Sequence, residues 1–244
     1  MNETDNNNRA RVRYQKREIF PNPDHDRKKF LNDLSHRLSP SLSFYLFAII
    51  AGIVFGIALL LDSKALIVLT LALLPFAGPF WGMALSCTSG SISFFFKSFS
   101  KFLLGIGLFV LGAFAVGGIG RLRSQLSPET IEFFSTIQLL SLITVVVSAL
   151  LATVLISDKS VQLPVALSNG AMFGVLLPFG LAGYLLGLQS DYPISGSIQT
   201  GLIYAVIAMA ASVLGFLGRR AFWPRTGSFL MILLVFAGCA LFFL

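Results

Sequence analysis

Ionised side chains are nearly missing from most of this sequence. Of its 29 Lys, Arg, Asp and Glu residues, 15 fall in the first 42 positions, which leaves 14 for the other 202. The charged fraction is 12%, against roughly 25% in soluble domains. That scarcity excludes a soluble fold beyond position 42, because so few charges cannot cover a water-facing surface. Histidine is confined to His25 and His36, so no Ser/His pair can form among the apolar stretches. There is no metal-ligand cluster, phosphate-binding glycine loop or paired intramembrane Asp. No late apolar run carries the lysine that a retinal-binding receptor needs. No catalytic residue, metal or cofactor is therefore expected, and the chain reads as not an enzyme. The two cysteines, Cys87 and Cys239, lie in apolar stretches and read as small core residues, not a disulfide framework. A cleavable signal peptide is not expected either, since the first apolar run follows some 42 polar residues.

What is present is hydrophobic: 55% of the 244 residues, with a mean hydropathy of +0.82. Seven apolar runs follow one another at about 43–61, 65–87, 103–120, 139–156, 164–188, 198–218 and 229–244, and none contains Asp, Glu, Lys, Arg or His. A helix needs about 20 residues to cross some 30 Å of hydrocarbon, and most of the runs meet that length. The reading is an all-α integral membrane protein with about seven transmembrane helices. It has two parts, a polar basic cytoplasmic tail over 1–42 and a transmembrane helical domain over 43–244.

The loops orient the chain. With the N-terminus inside and seven passes, 15 Lys/Arg fall inside and three, Lys64, Arg121 and Arg123, outside. This positive-inside bias predicts a bacterial inner (plasma) membrane protein with a cytoplasmic N-terminus and an external C-terminus. The net charge of +7 is explained by the membrane without nucleic acid. The expected partners are the lipid bilayer and, as an open option, further copies of the chain. Within the tail, Phe30, Leu31, Leu34 and Leu38 recur at helical spacing between Asp26, a candidate cap, and Ser39-Pro40. Such a helix would lie on the anionic leaflet or stand in solvent ahead of the first run.

Residues that would bring polar groups to membrane depth are few. Pro75 and Pro79, flanked by Gly78 and Gly82, sit in the second run, and Pro178 sits in the fifth. Each proline removes a backbone donor and frees a carbonyl one turn back, which must find another partner in lipid. Asn169 is the most polar side chain near the middle of any run, and it serves either as interhelical glue or as a pathway lining. The substrate-path candidates are Pro75, Gly78, Pro79, Asn169 and Pro178. The glycine pairs Gly52/Gly56, Gly78/Gly82, Gly170/Gly174 and Gly183/Gly187 read as packing faces.

A repeat is also visible. Leu60-Leu61-Asp62-Ser63-Lys64 precedes Leu73-Leu74-Pro75-Phe76, and Leu155-Ile156-Ser157-Asp158-Lys159 precedes Leu176-Leu177-Pro178-Phe179. Three spans per unit would give a 3+3 inverted repeat plus one further span, an architecture known among secondary transporters.

The same residues resemble the hydrophobic-domain membrane proteins grouped as domain of unknown function 389, of which the chain is identified as a distant member. The turn Leu59-Leu60-Leu61-Asp62-Ser63-Lys64, the motif Pro75-Phe76-Ala77-Gly78-Pro79 and the later Leu176-Leu177-Pro178-Phe179 are similar to family motifs. Leu69-Thr70 replaces small residues of the family pattern, and an Asn-containing motif is missing from 202–215. The resemblance implies the architecture and leaves the activity open. The first functional expectation is a transporter or channel-like permease for a small solute or ion, working around proline-broken helices. The alternative is a membrane-bound scaffold or interaction protein whose tail recruits a partner.

Overall fold

The computed structural model describes residues 42–74, 77–121, 127–156, 162–190 and 192–217. The chain divides into two units, Met1–Arg37 and Leu38–Leu244, and every described residue belongs to the second. The tail helix, Pro75, Cys239 and the seventh apolar run lie outside the described residues.

Eight helices and no strand occur among the described residues: α1 (Leu42–Leu60), α2 (Lys64–Leu73), α3 (Ala77–Ser89), α4 (Ile92–Gly120), α5 (Pro128–Ser135), α6 (Leu139–Ile156), α7 (Gln162–Leu188) and α8 (Ile194–Leu217). Helix is the expected answer for such apolar sequence, because it pairs its own backbone groups where water cannot. α1, α4, α7 and α8 are each long and apolar enough to cross a membrane. The pairs α2–α3 and α5–α6 pass the same test jointly, with bends of 55° and 49°, which brings the number to six. The helices thus match the first six apolar runs, with two differences. α4 starts at Ile92, not near 103, because Phe94, Phe95, Phe99 and Phe102 continue its helical face; its 29 residues reach about 43 Å. α5 is an additional helix, built on an N-terminal signature. Ser127 accepts from the Thr130 N–H, and Pro128 occupies the first turn.

Glycine contacts fix the relative directions of the helices. A Cβ at Gly52 would overlap the carbonyl of Phe109, and one at Gly112 would come within 2.6 Å of the Ile49 oxygen. Gly56 faces Val116 and Gly120 faces Leu60, so contacting positions rise together and α1 runs parallel to α4. Gly183 against Val110 and Gly187 against Phe114 make α7 parallel to both. Because α1 and α4 run the same way, α2–α3 between them must carry the chain back across. The pair is therefore a broken span and not a re-entrant loop. The same reasoning applies to α5–α6 between α4 and α7. Gly215 against Thr153 and Thr200 against Ser135 set α8 parallel to α6. The chain direction alternates over all six passes. α1 starts at what we call the tail end, where α8 finishes; α1, α4 and α7 finish at the far end.

α7 is the centre. It packs against every other described helix, and 78% of its apolar window is buried, against 44% for α1 and 39% for α4. The outer helices keep large apolar side chains exposed, including Leu46, Ile50, Leu104, Leu111, Ile143 and Val147, as lipid contact requires. At the far end Arg121 Nε donates to the Gly187 carbonyl at 2.9 Å, and the Asp62 carboxylate accepts from the Thr130 hydroxyl at 3.0 Å. α4 packs on α7 and α8 on α3, the two contacts that a two-fold axis relating three-span units would exchange. The breaks do not follow that axis. They fall in the second and fourth passes, while the fifth, the proposed counterpart of the second, is unbroken.

Candidate functional site

The first break separates α2 from α3. Leu74 N–H donates to Leu71 O at 3.3 Å, and one turn earlier the buried Thr70 hydroxyl donates to Leu66 O at 2.9 Å. Pro79 does not interrupt a helix. It is buried in the first turn of α3 with Gly78 half-buried before it, where a missing N–H leaves no intrahelical bond unmade. From residue 79 to residue 88 every side chain of α3 is buried, and Gly82 lets the helix approach Ser98 of α4. Its hydroxyls bond back to their own helix: Ser86 to Met83 O at 2.5 Å and Thr88 to Leu85 O at 2.9 Å. Among the described residues, the hydroxyls beside this break bond within their own helices.

The second break, between Ser135 and Leu139, has no proline. Thr136 ends α5 in extended geometry (φ −119°, ψ 151°), with its N–H still bonded to Glu132 O. Two of the groups released there, the Ser135 carbonyl and the Gln138 N–H, are taken up by α8. Thr200 Oγ1 donates to Ser135 O at 2.8 Å. The Tyr204 hydroxyl accepts from Gln138 N–H at 2.9 Å and donates to Gln138 O at 3.4 Å. Thr200 and Tyr204 lie six and ten residues into α8, about 9 and 15 Å from its start. The break thus lies well inside the thickness that α8 spans, where unpaired backbone is costly.

Pro178 arrives at this same place. It leaves α7 continuous over 27 residues, so the expectation of a helix broken at Pro178 is corrected. Neighbours packed on every side hold the helix together through the missing bond. The carbonyl deprived of its donor is that of Gly174, and a Cβ there would collide with Val145 of α6 and lie 3.5 Å from the Tyr204 ring. One residue earlier, Phe173 meets Phe134 and Phe133 with ring centroids 6.1 and 6.4 Å apart. One residue beyond the proline, Phe179 packs on Gly201 of α8. Phe55 joins from α1, edge-on to Phe134 at 5.8 Å and stacked on Phe109 at 5.8 Å. The site thus has an aromatic wall on one side and the hydroxyl face of α8 on the other, beside the Ser135–Gln138 backbone. None of the side chains named in it is Asp, Glu, Lys, Arg or His.

Of the sequence candidates, Pro178 belongs to this site, while Gly78 and Pro79 belong to the first break. Asn169 is half-buried and precedes Pro178 by 9 residues, about 14 Å along α7, so the two are not brought together. The residues that sequence reasoning missed are Ser135, Gln138, Thr200 and Tyr204. Two signals were available. Ser127-Pro128-Glu129-Thr130 announces a helix ahead of the fourth run, and Thr136-Ile137-Gln138 interrupts it with a β-branched pair. No family model, curated protein or solved structure matches the chain.

Proposed function

We propose that the protein is a permease for a small solute or ion, whose moving part is the α5–α6 span hinged at Ser135–Gln138. One observation carries the reading: the α5–α6 pass is interrupted within the length that α8 covers, and the interruption is held by side-chain hydroxyls of that neighbouring helix. Hydroxyl bonds of this kind exchange readily with those of a passing solute, whereas an intrahelical ladder does not. The aromatic wall of Phe55, Phe134 and Phe173 keeps the opposite side dry. The lack of intramembrane charge favours an uncharged solute, or an ion held by backbone carbonyls, over a proton-coupled pump. Placement in the cell membrane with a cytoplasmic tail, and kinship with the domain of unknown function 389 proteins, belong to the same proposal. They rest on the loop charges and on the Pro75–Pro79 and Pro178 motifs.

The test is flux into proteoliposomes over a panel of solutes and ions. The wild type should pass at least one of them, and Tyr204→Phe should change that rate severalfold. A protein that passes nothing, or a Tyr204→Phe variant with unaltered flux, would overturn the proposal.

A further inference from the structure

The permease reading leaves open what is carried, and one buried side chain bears on it. Ser197 is fully buried, and its hydroxyl has no hydrogen-bond partner. It precedes Thr200 by three residues and Tyr204 by seven, so the three share one face of α8. The other two already reach the break. A Cβ at the adjoining Gly196 would lie 3.4 Å from Ser135 O, so the first turn of α8 runs beside the end of α5. An orphan buried hydroxyl costs stability, and alanine would avoid that cost. The polar groups gathered here are all uncharged: the Ser197, Thr200 and Tyr204 hydroxyls, the Ser135 carbonyl, and the N–H and C=O of Gln138. Donors and acceptors are interleaved among them. A cation would find oxygen ligands but no carboxylate to balance its charge, and an anion would meet carbonyls with no positive side chain to offset them.

We propose that the Ser197–Thr200–Tyr204 face of α8 and the Ser135–Gln138 break bind a small uncharged solute that both donates and accepts hydrogen bonds, a polyol or a urea-type amide. Ser197 supplies the unused hydroxyl. Thr200 and Tyr204 exchange their bonds to the break for bonds to the solute. This deepens the permease reading and rests on it.

The experiment measures uptake of glycerol and urea, with potassium and chloride as ionic arms, into proteoliposomes carrying the full chain. Wild type, Ser197→Ala and Ser212→Ala are compared, and their thermal unfolding is followed. Ser212 bonds to Ala208 O of its own helix and serves as the control. Uptake of glycerol or urea should fall roughly fivefold in Ser197→Ala, the equivalent of one lost hydrogen bond, and stay unchanged in Ser212→Ala. The melting temperature of Ser197→Ala should hold or rise, because an orphan group has been removed. Uptake of glycerol or urea that is indifferent to Ser197→Ala overturns the inference. Uptake of ions alone overturns it too but leaves the permease reading standing. Uptake of nothing on the panel removes both.

Discussion

The two broken spans solve the same problem in opposite ways. The break between α2 and α3 is flanked by prolines, which delete donors, and the hydroxyls near it bond back into their own helices. The break between α5 and α6 deletes nothing. The Gln138 N–H and the Ser135 carbonyl are satisfied from α8, and the Gln138 carbonyl is shared between Tyr204 and the Leu142 N–H. The difference shows that proline content does not determine where a membrane helix is interrupted. Pro178 sits in an unbroken α7, while Ser135–Gln138 interrupts a span whose proline, Pro128, lies at its start and not at the break. An interruption persists where a neighbour offers partners for the exposed backbone, and that neighbour is then tied to any motion of the span.

The comparison can be broken by substitution, starting with the largest expected effect. Gly174→Leu drives a side chain into Val145 and Tyr204, and should destabilise the protein by about 3 kcal/mol, seen as a much lower melting temperature in detergent. Tyr204→Phe leaves the Gln138 N–H without its partner, while the Gln138 carbonyl keeps its bond from the Leu142 N–H, and should cost about 1–3 kcal/mol. Thr200→Val loses one neutral bond, to Ser135 O, and should cost about 1 kcal/mol. The matching change at the first break, Thr70→Val, removes only a bond within its own helix and should cost less than Thr200→Val. Equal losses at the two threonines would erase the distinction between the breaks. The prolines come last. Pro79→Ala in the first turn of α3 should leave stability nearly unchanged, and Pro178→Ala should be neutral or mildly stabilising by returning a donor to Gly174. A large loss from Pro178→Ala would mean that α7 depends on its missing bond.

Much of this fold was legible because lipid imposes a simple rule. The apolar runs match the helical passes from residue 42 to residue 217, and three of the four glycine pairs lie wholly at close helix contacts: Gly52 on Phe109, Gly174 on Val145, Gly187 on Phe114. The site was less legible. Its signals are ordinary residues whose meaning depends on what they meet. Ser197, Thr200 and Tyr204 form an i, i+3, i+7 stripe, but a hydropathy reading begins the sixth run at 198 and cuts Ser197 away. Ser135 and Gln138 sit ahead of the fourth run, in a stretch that Glu129 and Glu132 make look like a loop. Pro178 lies near the second break but contributes a freed carbonyl and not a broken helix.

The central claim is that the α5–α6 span is interrupted at Ser135–Gln138 and that α8 holds the interruption. Site-resolved amide hydrogen exchange in lipid nanodiscs tests it most directly. The Gln138 amide should exchange slowly in the wild type and roughly tenfold or more faster in Tyr204→Phe, the rate equivalent of about 1.4 kcal/mol. Amides in the middle of α6, from 145 to 152, should be unaffected. A Gln138 amide that exchanges at the same rate in both proteins would show that Tyr204 does not hold the break, and would contradict the account.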